Sequence, residues 1–229
     1  MNGTQIKICG VKSPDIARAA AQAGARWVGL VFVSGSPRHL SLDHARTIVA
    51  ALPPEVEPVG LFVDDPVERV RQVAREVGLH TVQLHGHETP EYVASLTPLA
   101  VFKAVSFEAG AAEHLLDPWR QPAPNLQALL LDAPPQPSGA VSGGNGHAFD
   151  WQALADLQQT GGLRDLPPWL LAGGLSPENV TGAIQLLHPF GVDVSSGVES
   201  ARGVKDPALI RAFCQAVQAA DRAQAVAPG

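Results

Sequence analysis

The feature that most constrains the fold of this chain is a regular alternation of short apolar runs with amphipathic stretches. The runs are rich in branched residues, and eight of them are spread along the 229 residues. This alternation is typical of repeated β-α units whose strands pair in parallel. The predicted strands are Gln5–Cys9, Trp27–Val31, Pro58–Val63, Thr81–His85, Ala100–Val105, Ala128–Asp132, Trp169–Ala172 and Val192–Ser195.

Capping residues next to prolines or acidic residues indicate where helices begin between these strands. A proline in the first turn loses no hydrogen bond, because the first N–H groups of a helix lack intrahelical partners. The predicted starts are Ser13-Pro14-Asp15, Ser41-Leu42-Asp43, Asp65-Pro66, Thr89-Pro90-Glu91, Ser176-Pro177-Glu178 and Lys205-Asp206-Pro207. Eight strand-helix units favour a single (β/α)8 TIM barrel over residues 1–229, since an open doubly wound sheet usually has about five or six strands.

Composition and charge restrict the classes of partner. With 45% hydrophobic and 17% charged residues, the chain can bury a substantial core. A formal net charge of −6 without any basic block argues against nucleic acid or an anionic membrane as a partner. Two cysteines, with no leader pattern and no apolar span of about 20 residues, favour a cytoplasmic protein with reduced thiols. The sequence leaves open whether the protein is a monomer or a homodimer.

The first predicted strand ends in a thiol. Lys7 and Cys9 share one strand face, and the carboxyl ends of barrel strands carry the chemistry of TIM barrels. A thiol with an ordinary pKa is only about 3% ionised at pH 7, and a partly open site beside a lysine would lower that pKa. The alternatives are that Cys9 is a small buried hydrophobe and that Lys7 neutralises a buried carboxylate.

Four further polar residues lie where chemistry is expected. His85, Asp132 and Asp193 fall at or next to strand ends, and each has a structural alternative: a satisfied core histidine, a turn or cap aspartate, and a positioning aspartate. If functional, His85 would shape the site or assist proton transfer, and Asp193 would hydrogen-bond a ligand or help to position the site. Arg38 follows Ser36-Pro37 on an extended loop, where its planar fork suits capture of a carboxylate unless it is simply solvated.

Small residues after the last two strands predict a phosphate site. They are Gly173, Gly174, Ser195, Ser196 and Gly197. Glycine permits close approach of the backbone, and a following helix start offers free N–H groups to a dianion, although paired glycines are also common in turns. The remaining histidines show no ligand spacing with the cysteines, so no metal site is predicted.

Two segments fall outside the β-α pattern. The connection at about 133–149 is rich in Pro, Ser and Gly and starts right after Asp132, which predicts a mobile β6-α6 loop that acts as a lid. A flexible insertion without a role is the alternative. The tail from about Asp221 carries no packing pattern, and we expect it to fray.

A series of short motifs, spread nearly end to end, carries a family resemblance through its order and spacing. The motifs are Lys7-Ile8-Cys9-Gly10, Gly29-Leu30-Val31-Phe32, Ser36-Pro37-Arg38, Gly60-Leu61-Phe62-Val63, Val82-Gln83-Leu84-His85-Gly86, Leu130-Leu131-Asp132, Gly143-Gly144-Asn145-Gly146, Phe149-Asp150-Trp151, Leu171-Ala172-Gly173-Gly174-Leu175, Pro177-Glu178-Asn179-Val180 and Gly191–Glu199. By these motifs the chain resembles the phosphoribosylanthranilate isomerases of tryptophan biosynthesis.

The resemblance implies a (β/α)8 barrel that converts N-(5-phosphoribosyl)anthranilate to 1-(2-carboxyphenylamino)-1-deoxyribulose 5-phosphate. This Amadori rearrangement uses no cofactor and no metal. The resemblance also implies that Cys9 is the general base, Asp132 the general acid and Arg38 the partner of the anthranilate carboxylate. The chain departs from the family pattern at Asn145, where threonine is usual, and at His147, where lysine is common.

Three rival functions are the related phosphosugar isomerase of histidine biosynthesis, an enzyme that acts on both substrates, and a non-catalytic barrel that binds a phosphosugar. The histidine-pathway chemistry commonly pairs two aspartates, so the cysteine favours the anthranilate substrate by resemblance. A binding module needs no acid and base together, so the presence of both Cys9 and Asp132 favours an enzyme.

Overall fold

Eight parallel strands close into a barrel in the computed structural model, which describes residues 3–108, 110–133 and 150–226. Each strand pairs with the next one along the chain, and the last pairs with the first. The strands are β1 Gln5–Cys9, β2 Trp27–Val31, β3 Glu57–Phe62, β4 Thr81–Leu84, β5 Ala100–Ser106, β6 Leu126–Asp132, β7 Trp169–Leu171 and β8 Gly191–Val194. The predicted (β/α)8 barrel is therefore confirmed.

Helices follow the strands and cover the outside of the barrel. They are α1 Pro14–Ala23, α2 Leu42–Val49, α3 Val67–Val77, α4 Pro90–Ser95, α5 Ala112–Leu116, α6 Trp151–Gln159, α7 Val180–Leu187 and α8 Pro207–Val226. A short 3-10 turn at Ser196–Val198 and an antiparallel hairpin, β9 Glu199–Ala201 and β10 Val204–Lys205, separate β8 from α8. The sequence did not predict this hairpin, which lies at the carboxyl end of the barrel.

The helix starts mostly follow the predicted caps. The hydroxyls of Ser13, Ser41 and Thr89 each accept a hydrogen bond from a backbone N–H three residues further on. Helix α7 differs, because it begins at Val180 and not at Pro177. The side-chain oxygen of Asn179 accepts a hydrogen bond from the N–H of Ser176 at 2.8 Å, which stabilises a turn where the helix was expected.

Apolar side chains fill the barrel interior below the carboxyl-end rim. Trp27 packs edge-on against Phe102 with ring centroids 5.2 Å apart, and both join a buried cluster with Val59, Leu130 and Leu170. The outward faces of the strands pack against the helices in a larger buried cluster. This division leaves the rim as the place where polar side chains can meet, as the fold class requires.

The two segments outside the β-α pattern have different outcomes. The predicted lid falls on residues 134–149, which include Asn145 and His147 and lie outside the described residues. Helix α8 continues to Val226, and Asp221 accepts hydrogen bonds from the N–H and hydroxyl of Thr4 at 2.9 and 2.6 Å. The expected fraying from residue 221 is therefore not observed through residue 226. In the described part of the chain, no helix has the length and apolarity needed to cross a membrane.

Candidate active site

One cavity at the carboxyl ends of the strands brings most of the predicted site residues together. The predicted residues that line it are Cys9, Arg38, His85, Asp132, Gly173, Gly174, Asp193, Ser195 and Ser196. Lys7 lies fully buried one layer below Cys9, and Gly197 lies behind the wall, against the backbone carbonyl of Leu175. The thiol of β1 and the carboxyl of β6, far apart in sequence, therefore face the same space.

Cys9 lies beside a buried ion pair. Lys7 Nζ donates a hydrogen bond to Asp193 Oδ1 at 2.8 Å, across the pairing of β1 with β8. Gly29, the partner of Cys9 on β2, makes room for both groups, because a Cβ there would lie 2.8 Å from Cys9 Sγ and 3.2 Å from Lys7 Nζ. Lys7 thus plays both parts considered above: it neutralises a buried carboxylate and it lies next to the thiol.

Burial has the largest influence on the protonation of this cluster. It raises the pKa of the Cys9 thiol, and the positive charge of Lys7 opposes this effect without reversing it. The expectation of a partly open thiol with a lowered pKa is therefore wrong in net direction, since Cys9 is only 5% exposed. For Lys7 the balance is different: burial acts to lower its pKa, but Asp193 and Cys9 raise it above the ordinary value.

Asp132 and His85 form a pair on the opposite side of the cavity. His85 Nε2 lies 3.2 Å from Asp132 Oδ2, and His85 Nδ1 lies 3.0 Å from the side-chain amide of Gln83. With that amide donating to Nδ1, a neutral His85 ring carries its proton on Nε2, the ring nitrogen nearest to Asp132. His85 is therefore not a core histidine, because its side chain is 36% exposed and faces the site.

The loop after β7 crowds the carboxyl of Asp132. Asp132 Oδ1 accepts a hydrogen bond from the N–H of Ala133 at 2.7 Å. A Cβ at Gly173 would lie 2.5 Å from that nitrogen and 2.8 Å from Asp132 Oδ1. Gly173 also has a backbone φ of 80°, which residues other than glycine rarely adopt. A glycine here lets the loop after β7 approach the carboxyl group.

Arg38 is held by Glu199, a residue to which the sequence analysis assigned no role. Its Nε and Nη2 donate to Oε1 and Oε2 of Glu199 at 2.7 and 2.8 Å, a bidentate ion pair. Ser36 supports the loop by accepting a hydrogen bond from the N–H of Arg38. A solvated arginine is excluded, because the Arg38 side chain is 21% exposed.

Cys9, Val31 and Leu61 form a buried apolar cluster elsewhere in the cavity wall.

A network around Ser195 joins the ends of β1 and β8 to the hairpin. The hydroxyl of Ser195 donates to the backbone carbonyl of Cys9 at 3.2 Å. Lys205 Nζ donates to the backbone carbonyl of Ser195 at 3.0 Å and to Glu199 Oε1 at 2.6 Å. Burial lowers the pKa of Lys205, and its bonds to Glu199 act against that effect. The backbone of the predicted phosphate site is thus fixed by a buried cation.

A third buried lysine lies on the β4-β5 side of the cavity. Lys103 Nζ lies 3.2 Å from Glu88 Oε2 and donates to the backbone carbonyls of Gly86 and Ala104 at 2.7 and 2.8 Å. Glu88 in turn accepts from the N–H groups of Asp64 and Gly86 at 2.9 Å each. This pair shapes the loops after β3 and β4, next to His85.

Gln83 and Glu199 are two of the site residues that sequence reasoning missed. Strand alternation places Gln83 on the same face as His85, two residues on, and this signal could have identified it. Glu199 lies at the end of a quoted motif, but no local pattern links it to Arg38, 161 residues away. Within the described ranges, no group of three or more His, Cys, Asp or Glu residues is arranged to hold a metal ion.

Comparison with known proteins places this geometry in a family. A family model described as N-(5'phosphoribosyl)anthranilate (PRA) isomerase matches residues 6–216. The N-(5'-phosphoribosyl)anthranilate isomerase of Paracoccus denitrificans is 47% identical over 211 residues, covering 91% of this chain and 94% of that protein. The isomerase of the same name from Cereibacter sphaeroides is 43% identical over 221 residues, covering 95% and 100% respectively.

Solved structures agree with the sequence comparison. The crystal structure of phosphoribosyl anthranilate isomerase from Thermotoga maritima matches with a TM-score of 0.82 at 35% identity, covering 94% of this chain and 99% of that one. A phosphoribosyl anthranilate isomerase structure in complex with reduced 1-(o-carboxyphenylamino)-1-deoxyribulose 5-phosphate matches with a TM-score of 0.80 at 34% identity and the same coverage. These findings favour the resemblance drawn from the motifs over its rivals.

Proposed function

The chain belongs to the N-(5'-phosphoribosyl)anthranilate isomerase family, and from this premise we propose that Cys9 is the general base and Asp132 the general acid of the isomerisation. The family activity is the isomerisation of N-(5'-phosphoribosyl)anthranilate in tryptophan biosynthesis. The observation that carries the assignment is that this thiol and this carboxyl line the same cavity from β1 and β6.

The proposed reaction opens the furanose ring and then moves a proton within the substrate. The carboxyl of Asp132 donates a proton to the ring oxygen, and the bond from that oxygen to the anomeric carbon breaks to give an iminium. The thiolate of Cys9 then removes the proton from the sugar C2, and the released electron pair forms an enamine that tautomerises to the ketone. In that tautomerisation the Cys9 thiol returns a proton to C1 of the sugar and the Asp132 carboxylate takes the proton of the C2 hydroxyl, so both groups return to their starting states.

Neighbouring residues support each of these two groups. His85 orients the Asp132 carboxyl through the 3.2 Å contact of its Nε2, and Gln83 fixes the ring of His85 from the other side. Lys7 favours the thiolate form of Cys9 electrostatically, against the effect of burial. Asp193, which Lys7 holds at the cavity wall, is positioned to accept hydrogen bonds from sugar hydroxyls.

The two anionic ends of the substrate have separate sites in this proposal. Arg38 binds the anthranilate carboxylate. The phosphate binds to backbone N–H groups of the loops after β7 and β8, which contain Gly173, Gly174, Ser195, Ser196 and Gly197. Backbone dipoles suffice for a dianion, which explains how a chain with a net charge of −6 can bind a doubly anionic phosphate.

Purified protein supplied with N-(5'-phosphoribosyl)anthranilate tests the activity directly. The fluorescence of the anthranilate adduct should change with time as the adduct rearranges, and the histidine-pathway substrate serves as the comparison. Turnover of the first substrate alone is expected. Turnover of both would identify a dual-substrate enzyme, and turnover of neither would support a non-catalytic barrel.

Assembly and location belong to the same proposal. A cytoplasmic protein is supported by Cys9 and Cys214, which are both free thiols. The phosphoribosylanthranilate isomerase of Thermotoga maritima is described as a dimer from which monomers have been generated. Light scattering of the purified chain would decide between the monomer and the homodimer that the sequence left open.

A further inference from the structure

We propose that Glu199 is a positioning residue that gives this site its specificity for a carboxylate-bearing substrate, by holding Arg38 along one edge so that its other edge faces the cavity. The inference rests on the proposed role of Arg38 as the partner of the substrate carboxylate. It extends that role to a buried residue that lies behind Arg38.

The geometry of the ion pair leaves one fork of the guanidinium available. Glu199 takes the Nε hydrogen and one Nη2 hydrogen of Arg38. A guanidinium has five N–H donors, so the two hydrogens on Nη1 and the second on Nη2 remain. In the described part of the chain, Nη1 of Arg38 has no hydrogen-bond partner. The remaining donors form a second parallel fork, which matches the two oxygens of a carboxylate.

Glu199 is itself fixed from several sides. Lys205 Nζ donates to its Oε1 at 2.6 Å, and the N–H of Gly203 donates to its Oε2 at 2.9 Å. The Glu199 side chain is only 4% exposed. Burial alone would raise the pKa of Glu199, but the hydrogen bonds from Arg38, Lys205 and Gly203 lower it to about 2. At neutral pH the residue is therefore a fixed anion whose four donors prevent it from turning away.

Lys205 connects this anion to the other end of the substrate. Its Nζ donates to the backbone carbonyl of Ser195 in the proposed phosphate loop, and the Ser195 hydroxyl donates to the carbonyl of Cys9. Glu199 thus lies between the proposed carboxylate site and the proposed phosphate site. Because its direct bidentate contact is to Arg38, loss of its charge should affect the carboxylate end far more than the phosphate end.

Substitution Glu199→Gln is the appropriate probe. Glutamine has nearly the same shape, but its amide has one acceptor oxygen and an NH2 donor, so it cannot replace the two parallel bonds that Arg38 makes to two carboxylate oxygens. The matched control is Glu76→Gln, which alters another glutamate paired with an arginine, Arg46, at 3.1 Å on the outer surface. Glu199→Asp keeps the charge but shortens the side chain, so it tests the position of the charge if Glu199→Gln fails to fold.

The measurement compares two ligands that differ only in the ring carboxylate. They are reduced 1-(o-carboxyphenylamino)-1-deoxyribulose 5-phosphate and its counterpart made from aniline, and calorimetry gives both dissociation constants. We expect Glu199→Gln to reduce the preference for the carboxylate by at least about tenfold, with the affinity for the aniline ligand nearly unchanged. Glu199→Asp should also reduce it, and Glu76→Gln should retain it.

Two outcomes would overturn the proposal, and they differ in what else they affect. Equal weakening of both ligands by Glu199→Gln, with the preference intact, would make Glu199 a purely structural residue and leave the role of Arg38 standing. An intact preference in Arg38→Met would instead refute the carboxylate role of Arg38 and this inference together. Because neither binding measurement requires turnover, both outcomes are independent of the result of the isomerase assay.

Discussion

Two sides of the cavity each bury a lysine against a carboxylate, yet the two pairs have different surroundings. On the β1-β8 side, Lys7 faces Asp193 and lies next to the Cys9 thiol. On the β4-β5 side, Lys103 faces Glu88 and donates to two backbone carbonyls. Burial acts to lower the pKa of both lysines, but the pKa of Lys7 is raised while that of Lys103 is lowered.

The difference lies in the number of ionisable side chains that hydrogen-bond to each lysine. Lys7 has two, Asp193 and Cys9, and their combined attraction exceeds the effect of burial. Lys103 has one, Glu88. The hydrogen bonds of Lys103 go mainly to backbone groups, so its pair with Glu88 holds two loops in place. A buried ion pair is therefore not by itself a sign of catalysis. It is informative here because a second titratable group lies beside it.

Replacement of Cys9, whose sulfur distinguishes the β1-β8 side, should reduce activity more than the other substitutions. Cys9→Ala should lower kcat by about 10²- to 10⁴-fold, the usual loss for a general base, while ligand binding stays nearly intact. Cys214→Ala, which removes the buried thiol of α8, is the matched control and should retain activity. Steady-state kinetics of the three proteins measures the effect. Near wild-type turnover in Cys9→Ala would refute the assignment of the base.

A comparable loss of activity should follow from replacing Asp132 on the opposite side of the cavity. Asp132→Asn should lower kcat by about 10²- to 10⁴-fold, because an amide cannot protonate the ring oxygen. Asp64→Asn is the matched control, since Asp64 also pairs with a histidine, His87, at 3.1 Å but does not line the cavity. If Asp132→Asn kept the full rate of ring opening in single-turnover experiments, another residue would have to be the acid.

An intermediate effect is expected from Arg38→Ala. Loss of a charged bidentate contact should raise KM by about 10- to 100-fold, with a smaller change in kcat. The matched control is Arg46→Ala on the surface, which also removes an arginine from a glutamate. Initial rates over a range of substrate concentrations separate the two constants. An unchanged KM would count against the proposed carboxylate site.

Replacement of Lys7 should have the smallest effect on activity, and replacement of Lys103 provides the comparison. In the wild type, kcat/KM should keep rising with pH through the ordinary thiol range, because burial raises the pKa of Cys9. Lys7→Met removes a positive charge that favours the thiolate, so this rise should shift to higher pH and kcat/KM at neutral pH should fall by up to about tenfold.

Lys103→Met serves as the control for that shift, because it removes a buried lysine that does not act on the thiol. The thiolate absorbance of Cys9 should titrate at a higher pH in Lys7→Met and at the wild-type pH in Lys103→Met. Thermal unfolding of both variants checks that each one folds. Equal shifts in the two variants would mean that the sides of the cavity do not differ as described.

Strand prediction succeeded because every strand is a local apolar run with a clear end. The first two strands match their predicted bounds, and the other six differ by two residues or fewer at either end. Prediction of the helix starts relied on capping residues within three positions of the first turn. It failed at α7, where Ser176 and Asn179 are competing caps. No start signal was identified for α5 or α6, although Asp150 caps α6 by accepting from the N–H of Ala153.

Site prediction was most complete for residues at the strand ends, since the barrel brings all those ends to one rim. Alternation within β1 placed Lys7 beneath Cys9, and this relation holds in the structure. Burial of the thiol could not be predicted in the same way, because it depends on packing against Val31 and Leu61 from neighbouring strands. That packing reverses the expected direction of the Cys9 pKa.

Local sequence patterns were enough to predict the barrel, the order of its strands and the side chains at its rim, because strand period, capping and turn chemistry act over a few residues. Which of these side chains meet depends on how distant strands and loops pack. The contacts of Lys7 with Asp193 and of Arg38 with Glu199 join residues 186 and 161 positions apart. Electrostatic energies depend on distance in space and on burial, and a local pattern encodes neither.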